Sequence, residues 1–181
     1  MHLIVLDLEM NQPNRNIIQV GAVTVDLVRR RIEPLFDELV KGVEPLDSYV
    51  SQLTGIEAEA LGEARPATEV LDAFWDAVRA VGEPVRLGAW GLDCKKVYKD
   101  SLKAGVTVPD PVRMYDLKEV CSPLRIGKKG SVGCSLSKML DAYGLPFEGH
   151  HHNAYADAHM TAKLVLALLE EAETLFQRPL V

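Results

Sequence analysis

Asp7 and Glu9 stand two positions apart at the end of the run "HLIVLDLE". In a strand, alternate side chains share a face, so both carboxylates project to the same side. Two carboxylates side by side repel, and they stay ionised together only with positive charge between them. A hard divalent cation with oxygen ligands, Mg²⁺ or Mn²⁺, meets that need. A solvated strand end with no role would carry the same two acids. Asp93 follows "LGAWGL" at a strand-to-helix junction, where an aspartate is also a good helix cap. Asp157 lies among small residues, "NAYADA", in an early turn of a long helix. Alanines leave that backbone approachable, so the helix can pack closely against the end of the sheet that carries Asp7 and Glu9. Four carboxylates from three segments would then converge.

Three consecutive histidines, His150, His151 and His152, precede Asp157. One reading is a zinc site, which wants three or four nitrogen or sulfur ligands at workable spacing. Adjacent histidines in an extended segment point alternately, however, and His159 stands about two helical turns beyond His152. No HExxH motif is present. A second reading is a solvated run. The third makes His152 the working imidazole, placed on the loop into the helix so that its ring reaches over an ion held by Asp157. Such a histidine can take a proton from an attacking water near neutral pH. His150 and His151 are then bystanders.

The elements that must position these residues follow from the patterning. "HLIVLDLE" reads as a buried central strand, "NIIQVGAVTVDL" as a second strand, and "RIEPLFDELVK" as a third, put at an edge by Pro34. "TEVLDAFWDAVRAV" places Val70, Leu71, Phe74, Trp75, Val78 and Val81 at helical spacing. "PVRLGAW" is a fourth strand, "LDCKKVYKDSLKAG" a helix closed by Gly105, and "PVRMYDLKEV" holds a fifth strand. "SLSKMLDAYG" is a short helix. The longest runs from Asn153 to Phe176, with an apolar stripe through Leu164, Val165, Leu168, Leu169, Ala172 and Phe176. Three strands in succession, then alternating helix and strand, predict an α/β layer arrangement around a mixed sheet.

At 181 residues, 48% of them apolar, with no repeat, low-complexity tract or linker, residues 1–181 read as one domain. The three cysteines, an odd number with no CxxC pair, argue for a reducing compartment and against both a disulfide framework and a cysteine zinc site. The opening apolar run meets Asp7 too early for a signal peptide, and no stretch approaches the ~20 residues that span a bilayer. The expected location is cytoplasmic, with no membrane partner. A net charge of −6 argues against non-specific duplex coating. It leaves room for a nucleic-acid enzyme whose carboxylates are neutralised by cations. "GKKGSVG", residues 127–133, lacks the Gly-Lys-Ser/Thr ending of a phosphate-binding loop and reads as a surface loop or a contact for a substrate backbone.

With "DLEMN" at 7–11, "WGLD" at 90–93 and "HNAYADA" at 152–158, in order and across almost the whole chain, the sequence resembles the DEDDh 3′–5′ exonuclease superfamily. "NIIQVGAV", "LTGI" at 53–56 and "SLSKMLDAYGLP" at 135–146 add to the likeness. "DLEM" and "WGxD" are most similar to the branch that holds the histone-mRNA and small-RNA exonucleases. The resemblance implies an RNase H-like mixed five-stranded sheet, a three-strand antiparallel meander plus parallel strands, with flanking helices. It also implies a site for two divalent cations, Mg²⁺ or Mn²⁺. On this pattern Asp7 bridges both ions, Glu9 and Asp157 complete the first, Asp93 holds the second partly through water, and His152 is the general base. Met10 and Asn11 would line the 3′-terminal nucleotide. Leu53 and Leu92 would wedge against its base, with Thr54 at the border of the pocket. Asn11 stands where a threonine is usual, and Leu92 where that branch often has an aromatic. A leucine wedges but stacks less, and stacking is worth roughly 1–3 kcal/mol per base.

The expected activity is hydrolysis of terminal phosphodiesters from the free 3′ end of single-stranded nucleic acid, releasing nucleoside 5′-monophosphates. RNA is favoured by branch resemblance. The alternatives are a DNA-directed proofreading exonuclease and a non-catalytic binding module of the same fold, the latter disfavoured because all four acids and the histidine are present.

Overall fold

The computed structural model describes residues 1–121 and 135–176, with side chains to Thr174. Residues 127–133, Cys134, the Phe176 side chain and residues 177–181 lie outside the described part. Five strands form one sheet in the order β3-β2-β1-β4-β5. β1 (His2–Met10), β2 (Ile17–Asp26) and β3 (Arg31–Leu39) make the antiparallel meander. β4 (Val85–Ala89) and β5 (Val112–Asp116) run parallel to β1. The central position of β1 explains its nearly unbroken apolar run, because both of its faces are covered. Pro34 sits on the edge strand, at a register irregularity opposite Val23.

Helices flank both faces: α3 (Ala67–Val81), α4 (Asp93–Lys103), α6 (Leu136–Tyr143) and α7 (Ala154–Phe176). Three short helices were not expected: α1 (Ser48–Thr54), α2 (Ala58–Glu63) and α5 (Leu117–Cys121). The even-numbered residues of β1, Ile4, Leu6 and Leu8, pack with Phe74 and Trp75 of α3 and Val97 of α4. Leu3 and Val5 face the other way, into a cluster with Met160 and Leu164 of α7 and Leu140 of α6. Strand alternation then carries Asp7 and Glu9 onto the α7 side. The same face of β2 carries Gln19 and Gly21, with Val23 and Val25 in the α7 cluster.

Candidate active site

α7 meets the sheet at its own first turn, and the fit is set from β2. A β-carbon at Gly21 would lie 2.1 Å from the Tyr155 backbone nitrogen, so only glycine admits the helix at this distance. The close approach expected of small residues thus depends on the sheet as well as on the buried Ala154 and Ala158. The Gln19 side chain fastens the contact. Its carbonyl accepts from the Ala154 N–H (3.1 Å) while its amide donates to Asp37 (2.8 Å). Asn153 caps the helix by accepting from the Ala156 N–H (3.1 Å). Asp157, in the first turn, reaches back to accept from the His152 N–H (3.2 Å). His152 holds a left-handed backbone, φ 59°, which turns the chain sharply into the helix.

These contacts bring Glu9, Asp157 and His152 together. One ligand atom from each lies within 4.8 Å of the other two. Asp7 and Asp93 are not part of that tightest set, yet both belong to the same field of charge. Burial, then repulsion from Asp93, Asp157 and Glu9, holds the Asp7 carboxyl well above the usual carboxylate range. Burial, then Asp157 and Asp93, pushes Glu9 up to about 8. Asp93 is pushed up to about 6 by burial and by Asp116, against the lowering effect of Arg15. Asp157 is also raised by burial, against the charge of the His152 imidazole and the bond from its N–H. Asp93 is the first residue of α4, and its carboxylate makes no capping bond, because Leu92 occupies the cap position. Both Asp93 and Asp157 therefore sit at positive helix ends. Hard oxygen donors, mutually repelling and half-buried or buried, fit a divalent cation of the Mg²⁺ or Mn²⁺ kind.

A cavity of about 410 Å³ opens on this cluster, lined by Asp7, Glu9, Asp157 and His152. Trp90, Phe147 and His151 form further wall, with His151 stacked on Phe147 at 3.7 Å. His151, expected to be a bystander, lines the site. The alternation expected of an extended segment does not apply, because the chain turns at His151 and His152. His150 lies instead by Gly55.

The remaining predicted residues divide. Leu92 is 61% exposed beside Asp93. Leu53 is half-buried on α1. Met10 lies at the end of β1 under the Arg15 guanidinium (4.0 Å). Asn11 is buried and committed elsewhere: it donates to the Pro45 carbonyl (3.0 Å) and accepts from the Asp47 N–H (2.9 Å). Thr54 is likewise buried, donating to Val50 and accepting from Ile56 N–H. Both thus hold the segment that presents Leu53. Sequence reasoning missed Arg15 and Asp116, whose charges act on Asp93. The turn "NQPNRN" carries no motif, and the only signal at Asp116 was its place at a strand end beside β4.

The sequence profile of the RNase T exonuclease family matches residues 4–165. The chain belongs to the exonuclease family. This exonuclease-family chain is 27% identical over 173 residues to the PolC-type DNA polymerase III of Caldanaerobacter subterraneus subsp. tengcongensis, covering 94% of the chain and 12% of that protein. It is 31% identical over 180 residues to small RNA degrading nuclease 2 of Arabidopsis thaliana, covering 96% of the chain and 36% of that protein. The chain therefore spans well under half of either relative. Among solved structures, the nuclease domain of 3′hExo, a DEDDh family member bound to rAMP, superposes with a TM-score of 0.78 at 18% identity, over 94% of this chain and 92% of that one. The RNase H-like mixed sheet and the DEDDh resemblance are thereby upheld.

Proposed function

We propose that residues 1–181 form one 3′–5′ exonuclease domain that hydrolyses terminal phosphodiesters of single-stranded nucleic acid to nucleoside 5′-monophosphates. The observation that carries this reading is the gathering of buried and half-buried acids, with Asp93 and Asp157 raising both Asp7 and Glu9, around the Glu9–His152–Asp157 donor set. Asp7, Glu9 and Asp157 would hold one divalent cation, and Asp7 with Asp93 a second. Two such ions, Mg²⁺ or Mn²⁺, supply when bound the positive charge that offsets the phosphodiester and activates water. His152 accepts the proton of the attacking water as general base, and the adjacent Asp157 carboxylate stabilises the imidazolium so formed. The His152 side chain is exposed, so that proton returns readily to solvent. Leu92 and Leu53 would wedge the terminal base, with Met10 beneath it, while Asn11 and Thr54 hold α1 in place.

RNA as the substrate is supported by the small RNA degrading relative. The DNA-directed alternative is supported by the relative that is a DNA polymerase. Among the described residues no helix is long and apolar enough to cross a membrane. Cys94 and Cys121 are buried free thiols, Cys121 pushed up to about 12 by burial, which suits a reducing cytoplasm. The test is incubation in Mn²⁺ with matched end-labelled RNA and DNA oligomers, free or blocked at the 3′ end. Mononucleotide release from free ends only, nearly abolished by Asp7→Ala and by His152→Ala but retained in His150→Ala, is expected. Undiminished metal-dependent cleavage by His152→Ala would remove the base assignment.

A further inference from the structure

We infer that the lysine face of α4, with Arg15, is a track for the phosphate backbone of the strand upstream of the 3′-terminal nucleotide. This rests on the exonuclease reading above. In a chain of net charge −6, a concentration of cations on one helix needs a reason. An ordinary solvated face would scatter its charges over open surface. Here they line a hollow of about 350 Å³ that begins at Asp93 and Leu92. Arg15, Lys95, Lys96 and Lys99 are four of its seven lining residues, and Asp93 is its one acid. A second hollow, of about 380 Å³, shares Asn14 and Lys96 with the first and continues past Lys103 and Lys41. The two together lead away from the acid cluster along α4. From Lys95 to Lys103 the helix advances about 12 Å, room for more than one phosphate.

The cations are available. Lys96 pairs with Asp100, one turn on. Among the described residues, Arg15, Lys95 and Lys99 have no carboxylate within ion-pairing distance. Arg15 is held with φ 57°, a left-handed conformation that a non-glycine residue rarely adopts. From there its charge already reaches Asp93. The track therefore starts where a second ion and the scissile phosphate would lie, and it complements a polyanion rather than a neutral ligand. Backbone phosphates are common to RNA and DNA, so the track binds a strand without reading its sequence.

The test measures binding of 5′-labelled strands of two and eight nucleotides, as matched RNA and DNA, by fluorescence anisotropy in Ca²⁺ across a salt series. The wild-type protein is compared with the Lys95→Gln/Lys99→Gln pair and the Lys95→Arg/Lys99→Arg pair. Wild type should bind the longer strand more tightly. In the glutamine pair that gain should shrink on the order of tenfold near 0.1 M salt, and the log–log salt slope should fall by about 1.4, as expected for two lost phosphate contacts on a single strand. The arginine pair should keep both. Equal loss with RNA and DNA supports backbone binding; loss with one alone overturns the sequence-blind track in favour of sugar readout. A glutamine pair with the wild-type slope and length gain, while wild type releases mononucleotides in Mn²⁺, overturns the track and leaves the exonuclease reading standing. A wild-type protein that releases none overturns both.

Discussion

Gly21 of β2 and Tyr155 of α7 touch backbone to backbone, with space for no β-carbon between them. Asp157 follows Tyr155 by two residues, so this contact sets how far one carboxylate stands from Asp7 and Glu9. Gly21→Ala should lift the start of α7, costing about 1–3 kcal/mol by overpacking. It should also abolish the rise in melting temperature on adding Mg²⁺. Thermal melts with and without the ion check both effects. A variant that melts like wild type and keeps its Mg²⁺ response would show the contact to be yielding.

Gln19 links β2 to α7 through two bonds, one to Asp37 and one to the Ala154 N–H. Gln19→Leu leaves that buried N–H without an acceptor, a loss of about 1–3 kcal/mol. In a domain of this size the melting temperature should drop by roughly 3–9 °C. Turnover should fall further than stability accounts for, because Asp157 and His152 move with the helix start. Kinetics well below the melting range separate the two effects.

Glu9 at about 8 and Asp93 at about 6 both lie above the ordinary carboxyl range. Between the ordinary value and these raised ones, the folded chain binds more protons than the unfolded chain. That contribution to stability is complete below about pH 4.5 and declines as pH rises through 6 and then 8. In EDTA the melting temperature should therefore fall from about pH 5 to pH 8.5 by several degrees. Mg²⁺ should reverse the fall, with an affinity that grows over the same window as the ion displaces protons. A flat melting profile in EDTA would mean that the acids do not crowd one another.

Asn11 holds the Pro45–Asp47 segment, and Asp47 in turn caps α1. Asn11→Ala should loosen α1 and the Leu53 that it carries. A rise in KM of several-fold with kcat little altered is expected, since the acids and His152 are untouched. Steady-state kinetics on a short oligomer distinguish this from a fall in kcat, which would put Asn11 nearer the reaction.

Much of this site was legible because strand alternation and motif spacing are local. Asp7 and Glu9 share a face by the period of a strand, and the buried run around them marked β1 as central. The alternation expected to set His151 apart from His152 fails because the chain turns there, and His151 stacks on Phe147 in the same cavity. Gly21 and Gln19 were hidden in a segment that reads simply as β-branched, because their importance comes from a helix far along the chain. α1 and α2, at seven and six residues, are too short for an apolar period to emerge. α5 follows β5 without a break in sequence, so no turn residue separates them. Asp93 was also readable as a helix cap, because only the folded chain shows that Leu92 occupies that position.

α7 both completes the anionic cluster and covers the Leu3, Val5, Val23 and Val25 face of the sheet. A chain still emerging from the ribosome, with all five strands made, holds Asp7, Glu9 and Asp93 but neither His152 nor the covering helix. The anionic cluster and the cover of that face of the sheet thus form in one event, the docking of α7.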